Sequence, residues 1–246
     1  MKCFTLLRKN KRGYPVAVLA GFEEDRAVLW KVFSHMVKPE KTINLNGERK
    51  DPKALYNFYE SIINALRPTL KEGVRSVILV SPTRTDYAQT FLKHVRGHHA
   101  WLIQGPNKAV FNELTGSATT LSEVAALAKD PLFRETIGET TAEETENIID
   151  LLEKRLYATA QNALVLYSLE EIENLILGSC KAGKPKPEYL MLTDMYLSAE
   201  RRKGRLLRMT QIASNKGVKT KVVKADSPAG KRLSQLGGIV CILKPD

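Results

Sequence analysis

The stretch Asp226–Lys244 reads DSPAGKRLSQLGGIVCILK and gives the strongest indication of the fold. Ser227 and Pro228 are typical of a helix start, and two glycines end that helix before a continuous apolar run, Ile239–Leu243. An uninterrupted apolar strand has both faces buried, so it lies inside a sheet that helices cover. The preceding hundred residues must supply the neighbouring strands and those helices. We therefore predict an α/β fold whose last strand is buried.

Strands alternate with helices along the rest of the chain. Acidic residues 23–25 separate two β-rich runs and indicate a hairpin. Asp51–Pro52 is typical of a helix start, and we expect this helix to end at Pro68 and the next one at Gly97. Further strands are predicted at residues 74–80, 163–167, 190–193 and 219–223, and further helices around Leu152, after Ser168 and over 199–215. The alternation predicts partly parallel sheets with helices packed over them.

The length of the chain, 246 residues, favours two domains over one. Residues 134–145 are rich in Thr and Glu and weakly patterned, so they mark the expected boundary. We predict two α/β sandwich domains. The first covers residues 1–137 and includes a short basic N-terminal segment, and the second covers residues 138–246.

The charge of the chain favours a nucleic-acid partner. Lys and Arg number 38 against 27 Asp and Glu, a formal net charge of +11, and a basic surface concentrates polyanions around it. The alternative is that these cations only keep the protein in solution. No apolar run approaches the roughly 20 residues that cross a bilayer, and the first residues lack a signal-peptide core. We expect a cytoplasmic protein without a membrane partner, and three isolated cysteines predict neither disulfides nor a zinc module.

Four motifs resemble the Pelota and class-1 translation release-factor family of archaea and eukaryotes. Two lie near the end of the chain: KRLSQLGGI at Lys231–Ile239, and the apolar strand Tyr189–Asp194 that ends in an acidic residue. Upstream, Phe58-Tyr59-Glu60 and Ser81-Pro82 match the family's Phe-Tyr-Glu and Ser-Pro-Gly-Phe elements. The resemblance covers about residues 14–246, and nothing in the chain matches the family's N-terminal domain, which enters the ribosomal decoding site.

The resemblance implies both a fold and a place of action. It implies the family's central domain followed by its C-terminal domain, whose fold is shared with kink-turn-binding ribosomal proteins. The implied partners are the ribosome with its tRNA and rRNA, and a translational GTPase or an ABC-type recycling ATPase. We therefore expect a role in translation quality control, ribosome rescue, mRNA surveillance or recycling. The alternative outside this setting is a ribosome-independent module that binds RNA or docks on a protein.

One loop carries the implied contact with a partner protein. In Pelota-type proteins the Ser-Pro-Gly-Phe element lies on the surface that faces the translational GTPase. The matching partner-facing loop here is Ser81, Pro82, Thr83 and Arg84, in which Thr83 and Arg84 stand where the family has Gly and Phe.

The chain lacks the tripeptide with which release factors hydrolyse peptidyl-tRNA. That Gly-Gly-Gln places a water for attack on the ester, and the nearest match here, Gln104-Gly105-Pro106, contains a proline that removes flexibility and a backbone donor. We therefore predict no catalytic residue and no peptide release. The alternative is a divergent peptidyl-tRNA hydrolase that uses Gln104 or the small-residue loop 115–120.

No cofactor is predicted either. Gly178–Lys184 is one residue short of a phosphate-binding loop, because Pro185 stands where a Ser or Thr hydroxyl must hold magnesium. The prolines at positions 185 and 187 also prevent the helix whose N-terminus would face the phosphates.

The predicted RNA-binding residues form two groups. In helix 199–215, three arginines recur at the spacing of one helix face, and guanidinium groups hold phosphates through forked donors. The alternative is that this face is only solvated. The second group adjoins the end of the helix that we expect to stop at Gly97. The residues are Arg201, Arg202, Lys203, Arg205 and Arg208 in the first group, and Arg96, His98 and His99 in the second.

The histidines also raise the question of a metal. His94 and His98 have the i, i+4 spacing that lets two imidazoles on one helix share an ion. Because Gly97 is expected to end the helix, and because no third ligand stands at a useful spacing, the sequence predicts no metal site.

Overall fold

The protein is described by a computed structural model that covers residues 14–34, 36–105, 108–157, 165–178, 186–199 and 203–244. Over these residues the chain forms one five-stranded sheet and one four-stranded sheet, and helices pack on both faces of each. The predicted α/β class is confirmed. The likeness of the second half to kink-turn-binding ribosomal proteins stays a prediction.

The first sheet has the strand order β3-β2-β1-β4-β5. β1 pairs antiparallel with β2 across the predicted hairpin and parallel with β4, while β4 pairs parallel with β5. The strands are β1 (Pro15–Phe22), β2 (Arg26–Phe33), β3 (Val37–Asn44), β4 (Ser76–Ser81) and β5 (Val110–Thr115). The helices are α1 (Pro52–Lys71), α2 (Tyr87–His98), α3 (Ala100–Ile103), α4 (Leu121–Leu127) and α5 (Pro131–Leu156).

Both faces of the first sheet are buried. Helices α1, α2 and α3 cover one face, where Phe58, Ile62 and Phe91 join the apolar side chains of β1 and β4. Helices α4 and α5 cover the other face through Val124 and Phe133. The sheet is therefore the middle of three layers, and the loops at its strand ends are the positions free to present functional groups.

The second sheet has the order β6-β9-β7-β8, so the last strand lies between two others. Its strands are β6 (Val165–Leu166), β7 (Pro187–Thr193), β8 (Lys219–Val223) and β9 (Ile239–Leu243), and its helices are α6 (Leu169–Leu177), α7 (Asp194–Ala199), α8 (Lys203–Asn215) and α9 (Pro228–Gln235). All five residues of β9 are buried, which confirms the prediction from the terminal stretch. One of them is Cys241, and burial raises the pKa of its thiol to about 12.

The helix α5 packs on both sheets. Its first half contacts β4 and β5, where the Asn112 side chain donates to Thr140 Oγ1 at 2.7 Å, and its second half adds Ile148 and Leu152 to the core of the second sheet. Residues 134–145, expected to be a weakly patterned boundary, therefore lie within one 26-residue helix. The division between residues 137 and 138 stays a prediction. Neither α5 nor any other helix in the described ranges is long and apolar enough to cross a membrane.

A buried ion pair fixes α5 between the sheets. The Glu144 carboxylate accepts hydrogen bonds from the Ser76 hydroxyl and, at 3.2 Å, from the backbone N–H of Arg75 at the start of β4. It also lies 2.5 Å from the ammonium of Lys221 on β8, and the two charged side chains are 1% and 7% exposed. A single carboxylate thus contacts strands of both sheets.

Two helix ends differ from the sequence predictions. Pro68 lies inside α1, in its last turn, where few backbone bonds remain to be lost and where buried Thr69 and Leu70 hold the chain helical. Gly97 lies inside α2, which continues to His98 because the backbone N–H of His99 still bonds to the carbonyl of Val95. The prediction that Gly97 ends this helix is wrong, and that changes the account of the neighbouring histidines.

Candidate functional site

The predicted partner-facing loop forms a turn at the end of β4. Ser81 is buried, whereas Thr83 and Arg84 are exposed. The turn is closed by Thr85, whose backbone N–H and hydroxyl both donate to the carbonyl of Pro82, at 3.2 and 2.8 Å. Arg84 has a φ of 64°, a left-handed conformation that is uncommon for a residue with a Cβ. The turn therefore holds a guanidinium at this end of the sheet, and its contact with a partner stays a prediction.

The loop between β5 and α4 lies beside that turn and is tightly bound. The backbone N–H of Gly116 donates to the carbonyl of Ser81 at 2.9 Å, which joins the two loops. The Trp30 indole donates to the carbonyl of Ala118 at 2.7 Å, and the Thr119 hydroxyl donates to Glu23 at 2.6 Å. The Gly116 N–H, the Ala118 carbonyl and the Thr119 hydroxyl of loop 115–120 are therefore engaged within the protein.

Glu123 completes this loop as a helix cap. Its carboxylate accepts the backbone N–H groups of Thr119 and Thr120 at 2.9 Å each, while the Thr120 side chain caps the first turn of α4. The hydrogen bond from Thr119 is the main cause that lowers the pKa of Glu123 to about 2. Such a carboxylate is a weak base, so it is poorly suited to activate water.

Gln104 is the other residue of the hydrolase alternative, and its surroundings differ from those of loop 115–120. It is exposed and has an extended backbone directly after α3. Pro106 and Asn107 lie outside the described residues. Nothing in the described part of this segment offers the paired glycines of a water-positioning loop.

The basic helix is α8, and the structure describes part of the predicted arginine stripe. Arg205 and Arg208 are exposed, while Leu206 and Met209 on the other side pack in the core of the second sheet. The guanidinium of Arg205 pairs with the carboxylate of Glu173 on α6. Arg201 and Arg202 lie outside the described residues, and of Lys203 only the place at the start of α8 is described. RNA binding by this helix stays a prediction.

The second predicted RNA-binding group divides between surface and interior. Arg96 and His98 are exposed at the end of α2. His99 is only 7% exposed, and its Nε2 lies 2.6 Å from Glu60 Oε1 on α1. The prediction that His99 faces RNA is therefore corrected, because its imidazole is turned into the protein. Arg96 and His98 are exposed, and their contact with RNA stays a prediction.

The same carboxylate also receives His94. Nε2 of His94 lies 2.9 Å from Glu60 Oε1, and the side chains of His94 and His99 are 7% and 9% exposed. Burial alone would raise the pKa of the Glu60 carboxyl. The hydrogen bonds from His99 and His94 together lower the pKa by more than burial raises it, so the net shift is downward. Burial is also the main cause of a lowered pKa at His94. We name these three residues the Glu60 cluster.

Comparison with known proteins identifies relatives over most of the chain. The protein pelota homolog of the archaeon Pyrococcus furiosus is 25% identical over 209 residues, which are 82% of this chain and 53% of that protein. The predicted resemblance to Pelota is confirmed. The chain spans about half the length of this curated relative. No family model matches the chain.

Solved structures extend the likeness of the Pelota-like chain to its fold. The archaeal Pelota in a model of ribosome-bound Pelota and ABCE1 has a TM-score of 0.54 and 15% identity, over 98% of this chain and 64% of that one. Dom34 of S. cerevisiae has a TM-score of 0.50 and 21% identity, over 96% and 65%. Dom34 is described as a translation termination-like factor involved in RNA quality control pathways that interacts with Hbs1.

Sequence reasoning missed two features of the Pelota-like chain, for the same reason. Glu60 stands 34 residues before His94, and Glu144 stands far from Lys221, so no local spacing links them. The only signal in the sequence was that Glu60 and His94 each lie on a predicted helix with an apolar face. Packing those two helices side by side on one sheet brings the polar residues together.

Proposed function

We propose that this chain is a Pelota-like translation quality-control factor that acts on the ribosome or its tRNA in the cytoplasm and does not release peptides. The observation that carries the proposal is the similarity to the Pyrococcus pelota homolog, which extends over 82% of the chain. The net charge of +11 supports it, because ribosomal surfaces are polyanionic.

The partner proteins follow from the same similarity. Related structures include a ribosome-bound Pelota with ABCE1 and a Dom34 that interacts with Hbs1. We propose corresponding partners for this chain, a recycling ATPase of the ABC type and a translational GTPase. The exposed turn at Thr83 and Arg84 is the contact that we propose for the GTPase.

Ribosome co-sedimentation tests the proposal directly. Purified protein is mixed with ribosomes stalled on a truncated mRNA and with matched free rRNA, and each mixture is centrifuged through sucrose. We expect co-sedimentation with the stalled ribosomes at concentrations where free rRNA binds little. Equal binding to both would favour the alternative of a ribosome-independent RNA-binding module.

Peptide release is tested with defined peptidyl-tRNA on the same stalled ribosomes. We expect ester cleavage at the background rate, because the Ala118 carbonyl and the Thr119 hydroxyl of loop 115–120 are hydrogen-bonded within the protein and no Gly-Gly-Gln is present. Cleavage that depends on Gln104 would replace this proposal with the peptidyl-tRNA hydrolase. A Gln104→Ala variant makes that distinction.

The basic helix predicts how RNA binding responds to salt. Replacing Arg201, Arg205 and Arg208 by Gln keeps helix propensity and removes three charges. Because Arg205 also pairs with buried Glu173, urea unfolding first shows that the triple variant is folded. We expect weaker ribosome binding. The slope of log binding constant against log salt concentration should be shallower by roughly two to three units, because each phosphate contact that is lost means that fewer counterions are released on binding. The measurement is the binding constant at four salt concentrations.

A control for this variant removes the same charge from another surface. Lys38, Lys41 and Lys71 are exposed on β3 and at the end of α1. Their replacement by Gln is expected to leave the salt slope close to that of the unchanged protein. Equal slopes in the two triple variants would mean that α8 is only a solvated face.

A further inference from the structure

Three potential metal ligands meet between α1, α2 and the connection that follows α2. Glu60 lies on α1, His94 on α2, and His99 in the connection between α2 and α3. One donor atom from each residue can be chosen so that all three lie within 4.8 Å of one another. The two imidazole Nε2 atoms lie 2.9 and 2.6 Å from the same carboxylate oxygen.

The protein holds these ligands on rigid elements. Next to Glu60, the Tyr59 side chain is buried and its hydroxyl lies 2.7 Å from that of Thr90 on α2, which joins the two helices. Phe91 is fully buried one turn before His94. The positions of Glu60 and His94 are thus set by two helices that pack in the core, and preorganised donors are what a metal site requires.

Metal binding requires neutral imidazoles and an ionised carboxylate at this cluster. Each imidazole would present Nε2 to the ion with its proton on Nδ1, so binding changes the tautomer without releasing a proton from the ring.

We propose that the Glu60 cluster binds a zinc ion. Two imidazole nitrogens and one carboxylate oxygen form a donor set that suits zinc better than magnesium or calcium, which favour oxygen ligands. Tetrahedral coordination at about 2.0–2.1 Å places donors about 3.4 Å apart. The imidazole nitrogens therefore need to move only slightly away from Glu60 Oε1. Water would supply the fourth ligand, since the Glu60 side chain is 26% exposed.

His98 defines the limit of the site. Its ring centroid lies 4.7 Å from that of His94, but the side chain is exposed and its nitrogens are not among the three grouped donors. We therefore place His98 outside the ligand set. It is the matched control, because it is a histidine on the same helix one turn away.

The alternative is a purely structural hydrogen-bond cluster, in which Glu60 only accepts two imidazole N–H groups. Glu60→Gln separates the two. The amide oxygen of Gln still accepts an imidazole N–H, so the fold is retained, but it is a neutral and much weaker zinc ligand. The zinc proposal is independent of the proposed function in translation.

The experiment measures Zn²⁺ binding to the metal-stripped, tag-free full chain by competition with a chromophoric chelator. Cys3 and Cys180 are replaced by Ser so that thiols do not capture the ion. We expect one equivalent of zinc, with affinity lowered by at least about tenfold in Glu60→Gln and in His94→Asn, since even loss of an outer partner of a zinc ligand costs that much. His98→Asn is expected to bind as the parent does.

Two further measurements make the result decisive. Circular dichroism shows whether each variant is folded, and the melting temperature of the folded parent is expected to rise with added Zn²⁺ while that of Glu60→Gln does not. Absorption of the Co²⁺-substituted protein reports four-coordinate geometry. No stoichiometric binding, or binding that Glu60→Gln leaves unchanged, would overturn the proposal, and an equal loss in His98→Asn would overturn this ligand set.

Discussion

At the scale of single residues, the pair of Glu144 and Lys221 shows what burying charge requires. The carboxylate on α5 and the ammonium on β8 are both almost inaccessible to water and lie 2.5 Å apart. Each charge is tolerable only because the other is present, since removing one leaves an uncompensated charge in the interior. The energetic consequence of a substitution here therefore depends on whether the partner is also changed.

We expect Lys221→Met to lower the free energy of unfolding by about 3 kcal/mol or more, because Glu144 is left buried and charged. The double variant Glu144→Gln with Lys221→Met is expected to regain most of that loss, since the amide oxygen can still accept from the Arg75 N–H while the amide NH2 donates to the Ser76 hydroxyl oxygen. Urea unfolding of the single and double variants measures both values. Equal destabilisation of the two variants would contradict this account.

The terminal stretch and the Glu60 cluster differ in how far the sequence could predict them. A helix start and a buried strand depend on sequence neighbours or on any apolar surface. The local pattern at Ser227, Pro228 and Ile239–Leu243 was therefore enough to indicate both. Glu60, His94 and His99 become a group only when α1 and α2 pack side by side. Because the two histidines stand 34 and 39 positions after Glu60 in the chain, no local sequence pattern indicates that the three are in contact.

At the scale of elements, helix ends decided where the predictions succeeded. Asp51 accepts the Lys53 backbone N–H at the start of α1 as expected, whereas Ser168 makes no side-chain cap bond at α6 although Glu171 follows three residues later. A capping box instead forms at Thr120 and Glu123 of α4. The same four-residue pattern therefore indicates a helix start without fixing its hydrogen bonds.

The box at α4 predicts a dependence of stability on pH. The folded-state pKa of Glu123, about 2, lies below its ordinary value of 4.5, so the charged carboxylate stabilises the fold above pH 4.5 and this contribution is lost as the pH falls toward 2. We expect Glu123→Gln to be less stable than the parent at neutral pH and to lose less stability over that window. Urea unfolding at several pH values measures the difference.

Glu113, an exposed carboxylate on β5, supplies the control. Glu113→Gln removes one negative charge near the same sheet without touching the box. We expect its stability to follow the pH dependence of the parent. If Glu113→Gln and Glu123→Gln flatten the curve equally, general charge rather than the cap is responsible.

At the scale of the whole molecule, α5 joins what the sequence divides. Its 26 residues cover both sheets, so unfolding either sheet removes an apolar surface from the same helix. A weak hydrophobic pattern led to the expectation of a boundary at residues 134–145. The pattern is weak because buried threonines and Glu144 occupy positions where a helix facing one core would carry apolar residues.

We expect residues 134–145 to resist limited proteolysis in the native protein. Glu139, Glu143 and Glu144 are potential sites for a glutamate-specific protease, but cleavage requires the helix to open and to lose its contacts with β4 and β5. Mass spectrometry of fragments from a short digestion identifies the first cuts. First cleavage inside this segment would support an exposed linker.

The buried position of Cys241 makes its thiol a probe of local unfolding. Its thiol lies in the central strand β9 and has a pKa of about 12, so at neutral pH it is both shielded and protonated. Alkylating reagents require a thiolate in contact with solvent. The alkylation rate of Cys241 therefore reports how often the second sheet opens, and the free energy of that opening can be obtained from the extent of a covalent modification.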